Sequence, residues 1–175
     1  RSAHLTAYQN AALAKRYADR VERVRQREAT VLPGQQDLAR AVAWNYAKLL
    51  AYKDEYEVAR LYSDPAFRQA LAETFEVPKK LTVHLAPPLL AKPDPVTGEP
   101  HKREYGPWML RSFGLLARMK GLRGTAFDPF GRGEDRKVER RLIRDYEAAL
   151  DRLETTLTPE TAADWLAFLK LPETI

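Results

Sequence analysis

The densest group of residues that could do chemistry lies between residues 51 and 62. It holds four charged residues in five positions, together with three tyrosines at spacings of four and six residues. Lys53 and Glu57 are one helical turn apart and share a helix face, as do Tyr56 and Arg60. Lys53 and Arg60 could anchor a carboxylate or phosphate between tyrosine walls. The favoured alternative is an ion-pair lattice that ties this helix to its neighbours.

A glycine-rich loop offers a second possible anion site. Gly121-Leu122-Arg123-Gly124 and Gly131-Arg132-Gly133 place glycines beside arginines, just before a helix expected to start at residue 134. Backbone N–H groups at such a loop can cradle a phosphate. Neither run matches the P-loop or the dinucleotide fingerprint, and neither follows a predicted strand. Glycines that simply end a helix are therefore the favoured interpretation.

The sequence contains no recognisable motif for a metal site or for a cysteine nucleophile. The histidines, His4, His84 and His101, lack the spacing of a helical metal motif, so only a site assembled from all three in space is open. The chain has no cysteine, which excludes disulfides, a Cys nucleophile and thiolate-held zinc or iron–sulfur centres within it. No catalytic, cofactor-binding or metal-ligating residue is assigned.

The elements that must position these residues are mostly helical. Apolar residues recur at helical spacing between turn and capping signals, as in the Ser63-Asp64-Pro65 restart, which combines a good N-cap with a preorganised first turn. We expect about six helices, at about 3–29, 35–62, 65–75, 108–120 and 134–156, with a short one after Pro159. About two thirds of the chain should be helical. The fold class is mainly α: a helical bundle.

The stretch 76–107 interrupts the helices, because it contains seven prolines. Residues 81–85 have strand character, 94–98 have strong turn chemistry, and 101–106 can return antiparallel. The sequence therefore predicts a small two-stranded β-ribbon around residues 81–106, packed against helices.

Charge is distributed unevenly along the chain. Residues 100–144 carry twelve Lys or Arg against five Asp or Glu, whereas 145–175 carry two against seven. Such asymmetry can bind nucleic acid or an acidic ligand, or can mark where domains dock. The net charge of +5 is modest for nucleic acid, and signs are interleaved along the helices. Docking is therefore favoured over nucleic-acid binding. The sequence has no run of 18 apolar residues, which a membrane-spanning helix would need.

Four blocks, in this order, resemble the C-terminal region of the fused indolepyruvate ferredoxin oxidoreductases, a domain of unknown function. The blocks are Lys48–Tyr62 (KLLAYKDEYEVARLY), His84–Leu90 (HLAPPLL), Lys102–Met109 (KREYGPWM) and Leu122–Gly131 (LRGTAFDPFG). The opening YQNAA and closing LTPE are also similar to that region, so the resemblance covers nearly the whole chain.

The resemblance implies a parent enzyme that oxidatively decarboxylates aryl-pyruvates to acyl-CoA and passes electrons to ferredoxin. In such enzymes thiamine diphosphate with Mg²⁺ carries the carbanion chemistry and iron–sulfur clusters carry electrons. None of those motifs lies in this chain, so no catalytic residue is carried over. We expect one helical domain over 1–175, part of a larger cytoplasmic multidomain enzyme, with other domains of the polypeptide or oligomer as its partners.

Candidate ligand-binding or domain-interface residues are the following: Lys53, Glu57, Arg60, His84, Lys102, Arg103, Tyr105, Trp108 and Arg123. An accessory role in assembly or substrate access is the favoured hypothesis. A module that binds CoA or another phosphate or carboxylate, through Lys53, Arg60, Lys102, Arg103 and Arg123, is the alternative. A nucleic-acid-binding domain is the less favoured third hypothesis.

Overall fold

The computed structural model describes residues 1–74, 82–85 and 103–174, apart from the side chains of Arg68 and Leu85. The helices are α1 (Ser2–Tyr8), α2 (Ala11–Val31), α3 (Asp37–Leu50), α4 (Glu55–Ser63), α5 (Pro65–Thr74), α6 (Trp108–Arg118), α7 (Glu134–Thr156) and α8 (Ala162–Leu169). Strands β1 (Val83–Leu85) and β2 (Arg103–Tyr105) pair antiparallel. Helix accounts for 74% of the described residues, so the mainly-α prediction with a small ribbon is confirmed.

Two predicted helices are each divided in the structure, which gives eight α-helices in the described residues instead of about six. The helix expected over 3–29 breaks at Asn10, whose side chain accepts a hydrogen bond from the N–H of Leu13. The helix expected over 35–62 breaks before Asp54, which accepts from the N–H of Glu57. Asn and Asp stabilise a helix start more than a helix interior, because their side chains compete for backbone N–H groups.

The chain divides into two compact units, Arg1–Tyr52 with Gly133–Ile175 (unit 1) and Lys53–Arg132 (unit 2). In unit 1, α2 and α7 lie side by side and run parallel. Three pairs separated by 131 residues join them: Arg16–Glu147, Arg20–Asp151 and Arg23–Glu154. The constant separation means that both helices advance together, turn by turn.

Three tyrosines stack at the centre of unit 1. The Tyr46 ring lies 6.0 Å from the rings of both Tyr17 and Tyr146, with interplanar angles of 24° and 14°. The hydroxyl group of Tyr17 donates to the carbonyl of Ala43, and that of Tyr146 donates to the carbonyl of Leu169. The hydroxyl group of Tyr46 donates to the carboxylate of Glu147. Each of the three hydroxyl donors in this stack therefore has a hydrogen-bond acceptor.

The Tyr46→Phe variant should make unfolding less sensitive to alkaline pH. Burial, and next the hydrogen bond to Glu147, raise the pKa of Tyr46. The unfolded chain then loses the phenolic proton first, so the free energy of unfolding is maintained below the ordinary tyrosine pKa of about 10 and falls above it. Each such tyrosine steepens that fall by about 1.4 kcal/mol per pH unit. Urea unfolding between about pH 9 and 11 should show a shallower slope for the variant; equal slopes would refute the assignment.

Unit 2 surrounds a second apolar cluster. Ala59 of α4, Val83 of β1, and Met109 and Phe113 of α6 are buried together. Tyr62 packs on Phe113, with ring centroids 5.6 Å apart. The ribbon therefore lies against helices, as expected of a two-stranded sheet that is marginal by itself. Among the described residues, no helix combines the length and apolar character needed to span a bilayer.

Candidate functional site

The start of α4 holds a buried ion pair. Asp54 caps the helix through Oδ1, which lies 2.8 Å from the N–H of Glu57. The same carboxylate accepts two hydrogen bonds from the guanidinium of Arg123, with Nη2 2.8 Å from Oδ1 and Nε bonded to Oδ2. Both side chains are 4% exposed. A bidentate pair of this geometry fixes orientation as well as charge. It joins α4 to the loop that follows α6.

The same loop is organised around the carboxylate of Asp128. Its Oδ1 accepts from the hydroxyl of Tyr56 (3.1 Å) and the N–H of Phe130 (3.1 Å), and its Oδ2 accepts from the N–H of Gly124 (2.8 Å). Gly124 has φ +72°, a conformation that glycine adopts without steric cost. The loop thus binds an internal carboxylate with N–H groups that could otherwise hold a phosphate.

Glu57 and Arg60 form a second ion pair, one turn along α4. Nε and Nη2 of Arg60 donate to the two carboxylate oxygens of Glu57 at 2.8 and 2.7 Å. The side chain of Glu57 is 7% exposed and that of Arg60 24%. The hydrogen bond to Glu57 raises the pKa of Arg60, so the guanidinium stays charged. Its charge is matched by a neighbour on its own helix.

Aromatic rings pack around this polar cluster. The guanidinium of Arg123 lies 5.5 Å from the ring centre of Tyr56, within cation–π range. The ring of Phe130 meets Tyr56 edge to face, with centroids 5.3 Å apart. Because apolar surroundings strengthen the electrostatic attraction between paired groups, the ring packing favours the buried Asp54–Arg123 pair.

The ribbon separates the remaining candidates onto two faces. Val83 pairs with Tyr105, and His84 pairs with Glu104. Because side chains alternate along a strand, exposed His84 lies opposite the face through which Val83 and Tyr105 join the apolar cluster. Tyr105 packs edge to face on Trp108, with centroids 6.0 Å apart.

The other candidates are placed as follows. Lys53 is exposed just before α4, Arg103 is exposed opposite Leu85, and Lys102 lies outside the described residues. Among the histidines, His4 lines a cleft of unit 1 beside Trp44, whereas His101 is outside the described residues. The alternative of a site assembled from all three histidines is therefore not tested. No group of three side chains in the described part of the chain is arranged to hold a metal ion.

Comparison with known proteins places the chain in a family. The family of unknown function DUF6537 matches residues 1–175. The chain belongs to this family. No curated protein and no solved structure gives a significant match.

In this DUF6537 chain, the sequence pointed to Arg123 but not to the two carboxylates at the centre of the polar cluster, Asp54 and Asp128. Asp54 was available as a capping signal, because a Glu follows it three residues later and the pattern of an acidic cap with Glu at the third position is typical of a helix start. Asp128, in the sequence Phe-Asp-Pro-Phe-Gly, carried the signal of an Asx turn. Its contact with Tyr56, 72 residues away along the chain, had no sequence signal.

The Gly131→Ala variant should destabilise unit 2 of this DUF6537 chain. A Cβ at Gly131 would lie 2.7 Å from Oδ2 and 2.9 Å from Cγ of Asp128, whose carboxylate is held by three hydrogen bonds and cannot move aside freely. We expect a loss of about 1–3 kcal/mol in the free energy of unfolding, measured in urea.

The matched control for this variant is Gly114→Ala within α6. A Cβ there meets nothing within 4 Å. The same chemical change should stabilise the helix by about 0.5–1 kcal/mol, because alanine costs less chain entropy than glycine. Equal and small effects at both positions would contradict the role given to Asp128.

Proposed function

We propose that this chain is a non-catalytic accessory domain of an indolepyruvate ferredoxin oxidoreductase and serves the assembly of that enzyme. The parent enzyme would oxidatively decarboxylate aryl-pyruvates to acyl-CoA in the cytoplasm, with ferredoxin as electron acceptor. Thiamine diphosphate, Mg²⁺ and iron–sulfur clusters would be bound by its other domains, where they would supply the carbanion and redox chemistry.

One structural observation supports this proposal above the others. Two of the four sequence blocks that carry the resemblance, Lys48–Tyr62 and Leu122–Gly131, contact each other through Asp54–Arg123 and Tyr56–Asp128. The polar residues of these blocks therefore have a structural task, the joining of α4 to the loop. A structural role for these residues is sufficient to explain why the blocks resemble the family, and it does not require that this chain catalyses a reaction.

Two features of this chain favour placing the cofactors of the parent enzyme in its other domains. Without cysteine, the chain has no thiolate ligands for an iron–sulfur cluster. Among the described residues of unit 2, the buried carboxylates of Asp54, Glu57 and Asp128 could otherwise bind a cation. They already accept hydrogen bonds from arginine, tyrosine and backbone N–H donors. We therefore assign no step of the reaction to this domain.

A ligand-binding module, with CoA phosphates as the ligand, is the second candidate. It is favoured by the exposure of Lys53 and Arg103 in unit 2. However, two of its proposed anchors are engaged: Arg123 by Asp54 and Arg60 by Glu57. A phosphate would have to compete with a carboxylate at each of them, which reduces the free energy available for binding.

The accessory role can be tested with the isolated chain. Incubated with thiamine diphosphate, Mg²⁺, CoA, indolepyruvate and a one-electron acceptor dye, the chain should produce no acyl-CoA. Added to the parent enzyme expressed without this region, it should form a stoichiometric complex that is detected by light scattering after gel filtration. Turnover by the chain alone would overturn the proposal. Calorimetric titration with CoA tests the second candidate, for which binding at micromolar concentration is expected.

A further inference from the structure

One face of α6 is exposed along its whole length. The exposed residues of this helix are Trp108, Arg111, Leu115 and Arg118. Their spacing of three, four and three residues places them in a single line along the helix. We call this line the α6 stripe. The opposite face, with Met109 and Phe113, packs into the apolar cluster of unit 2.

The apolar residues of the α6 stripe are highly exposed to solvent. Trp108 is 60% exposed and Leu115 is 65% exposed. Met119, which follows directly in the 3₁₀ turn, is 37% exposed. Single exposed apolar residues are common, but an aligned group with a tryptophan is typical of an interaction surface. Tryptophan and arginine are also the residue types most enriched among those that dominate binding energy.

Among the described residues, no carboxylate compensates the charge on the α6 stripe. Residues 108–122 contain three basic residues and no acidic one. Within the part of the chain that the structure describes, no ion pair or hydrogen bond engages the guanidinium of Arg111 or Arg118. This contrasts with Arg60 and Arg123, whose charges are matched within unit 2. The stripe therefore combines apolar surface with two uncompensated positive charges.

Three of the seven acidic residues in 145–175 are already engaged within unit 1, which makes this stretch a poorer complement. Glu147, Asp151 and Glu154 pair with arginines of α2. A second copy of the chain is also disfavoured as the occupant, because each copy has a net charge of +5 and two copies would repel each other. These charges favour a different, acidic protein surface as the complement of the stripe.

We propose that the α6 stripe is the surface by which this domain docks onto an acidic protein surface elsewhere in the parent enzyme. Carboxylates of that surface pair with Arg111 and Arg118, while its apolar residues cover Trp108 and Leu115. The inference rests on the proposed function for the identity of the partner. It adds the docking site and the chemistry of the surface that binds there.

The test measures binding of the full chain to the parent enzyme expressed without this region. The wild-type chain is compared with the double variant Arg111→Glu/Arg118→Glu and with Leu115→Gln. The control, Arg144→Glu/Arg152→Glu, makes the same change of net charge at two exposed positions of α7. All substituted residues are exposed, so far-UV circular dichroism and urea unfolding should match the wild type.

We expect the charge-reversed stripe to raise the Kd by about 100-fold or more and the control to change it by less than about threefold. Wild-type binding should also weaken as salt is increased. If the wild-type chain does not bind, the proposed function fails. If the wild type and the stripe variants bind equally, the docking site is wrong and the proposed function stands. Binding of anionic vesicles or mixed-sequence duplex DNA through the stripe, with no loss of enzyme binding in the variants, would also overturn the inference.

Discussion

The Arg123→Met variant should lose about 3–5 kcal/mol of the free energy of unfolding, because it leaves the carboxylate of Asp54 buried without its cation. Methionine fills a similar volume, so the loss reports the charge more than a cavity. Urea unfolding gives the size of the loss. Hydrogen exchange shows which residues are destabilised, and the loss of protection should be concentrated in α4 and in residues 119–132.

Two further variants make this result specific. In Asp54→Asn/Arg123→Met the neutral amide keeps the helix cap but needs no cation, so part of the stability should return. Lys137→Met removes an exposed pair with Glu134 and should cost less than about 0.5 kcal/mol. If Arg123→Met were as mild as Lys137→Met, the buried pair would not hold α4 to the loop.

The Glu28→Ala variant should destabilise unit 1 by about 2–4 kcal/mol. Glu28 is 1% exposed, and its two carboxylate oxygens accept hydrogen bonds from the N–H groups of Leu38 (2.8 Å) and Ala39 (2.9 Å) at the start of α3. The start of a helix has unsatisfied N–H groups and a partial positive charge, both of which favour a carboxylate. Alanine leaves two buried donors without an acceptor.

The control for Glu28 is another acidic residue of α2. Asp19 is exposed, and its ion pair is with Lys15 on the same helix, so Asp19→Ala should change the free energy of unfolding by less than about 0.5 kcal/mol. Glu28→Gln retains one oxygen acceptor and should fall between the two. A full loss for Glu28→Ala together with no loss for the isosteric Glu28→Gln would show that side-chain volume, and not the pair of hydrogen bonds to α3, sets the cost.

Local signals in the sequence were sufficient for much of the fold. Asp64 accepts from the N–H of Ala66, as the restart signal at Ser63-Asp64-Pro65 indicated. The ribbon forms from two of the segments with strand character, on either side of the predicted turn. In both cases the interacting residues are close in sequence, or their pattern alone determines the outcome.

The long-range pairs could not be predicted in the same way. Asp54 and Arg123 are 69 residues apart, and the chain offers 29 basic residues as partners for this carboxylate. The prediction of two continuous helices, over 3–29 and 35–62, was wrong for a related reason. Asn10 and Asp54 stand within stretches whose apolar period continues across them, so the period alone favours one continuous helix.

The α6 stripe lies between these cases. Met109 and Phe113 recur at helical spacing and are buried, so Trp108, Arg111 and Leu115 of the same helix lie outside. Trp108 was among the candidates from the sequence. What the spacing could not show is whether the arginines find carboxylates nearby, because that depends on how the surrounding elements pack.

The most direct test of an accessory role is the KM for CoA of the parent enzyme carrying Arg60→Gln in this domain. Arg60 is partly exposed, and glutamine keeps an N–H donor for the carboxylate of Glu57, so the domain should remain folded, which far-UV circular dichroism checks. If the polar cluster is scaffolding, kcat and the KM for CoA should stay within about twofold of the wild-type values. A rise in the KM for CoA by about tenfold or more, equal to about 1.4 kcal/mol of lost binding, would show that this domain holds the substrate.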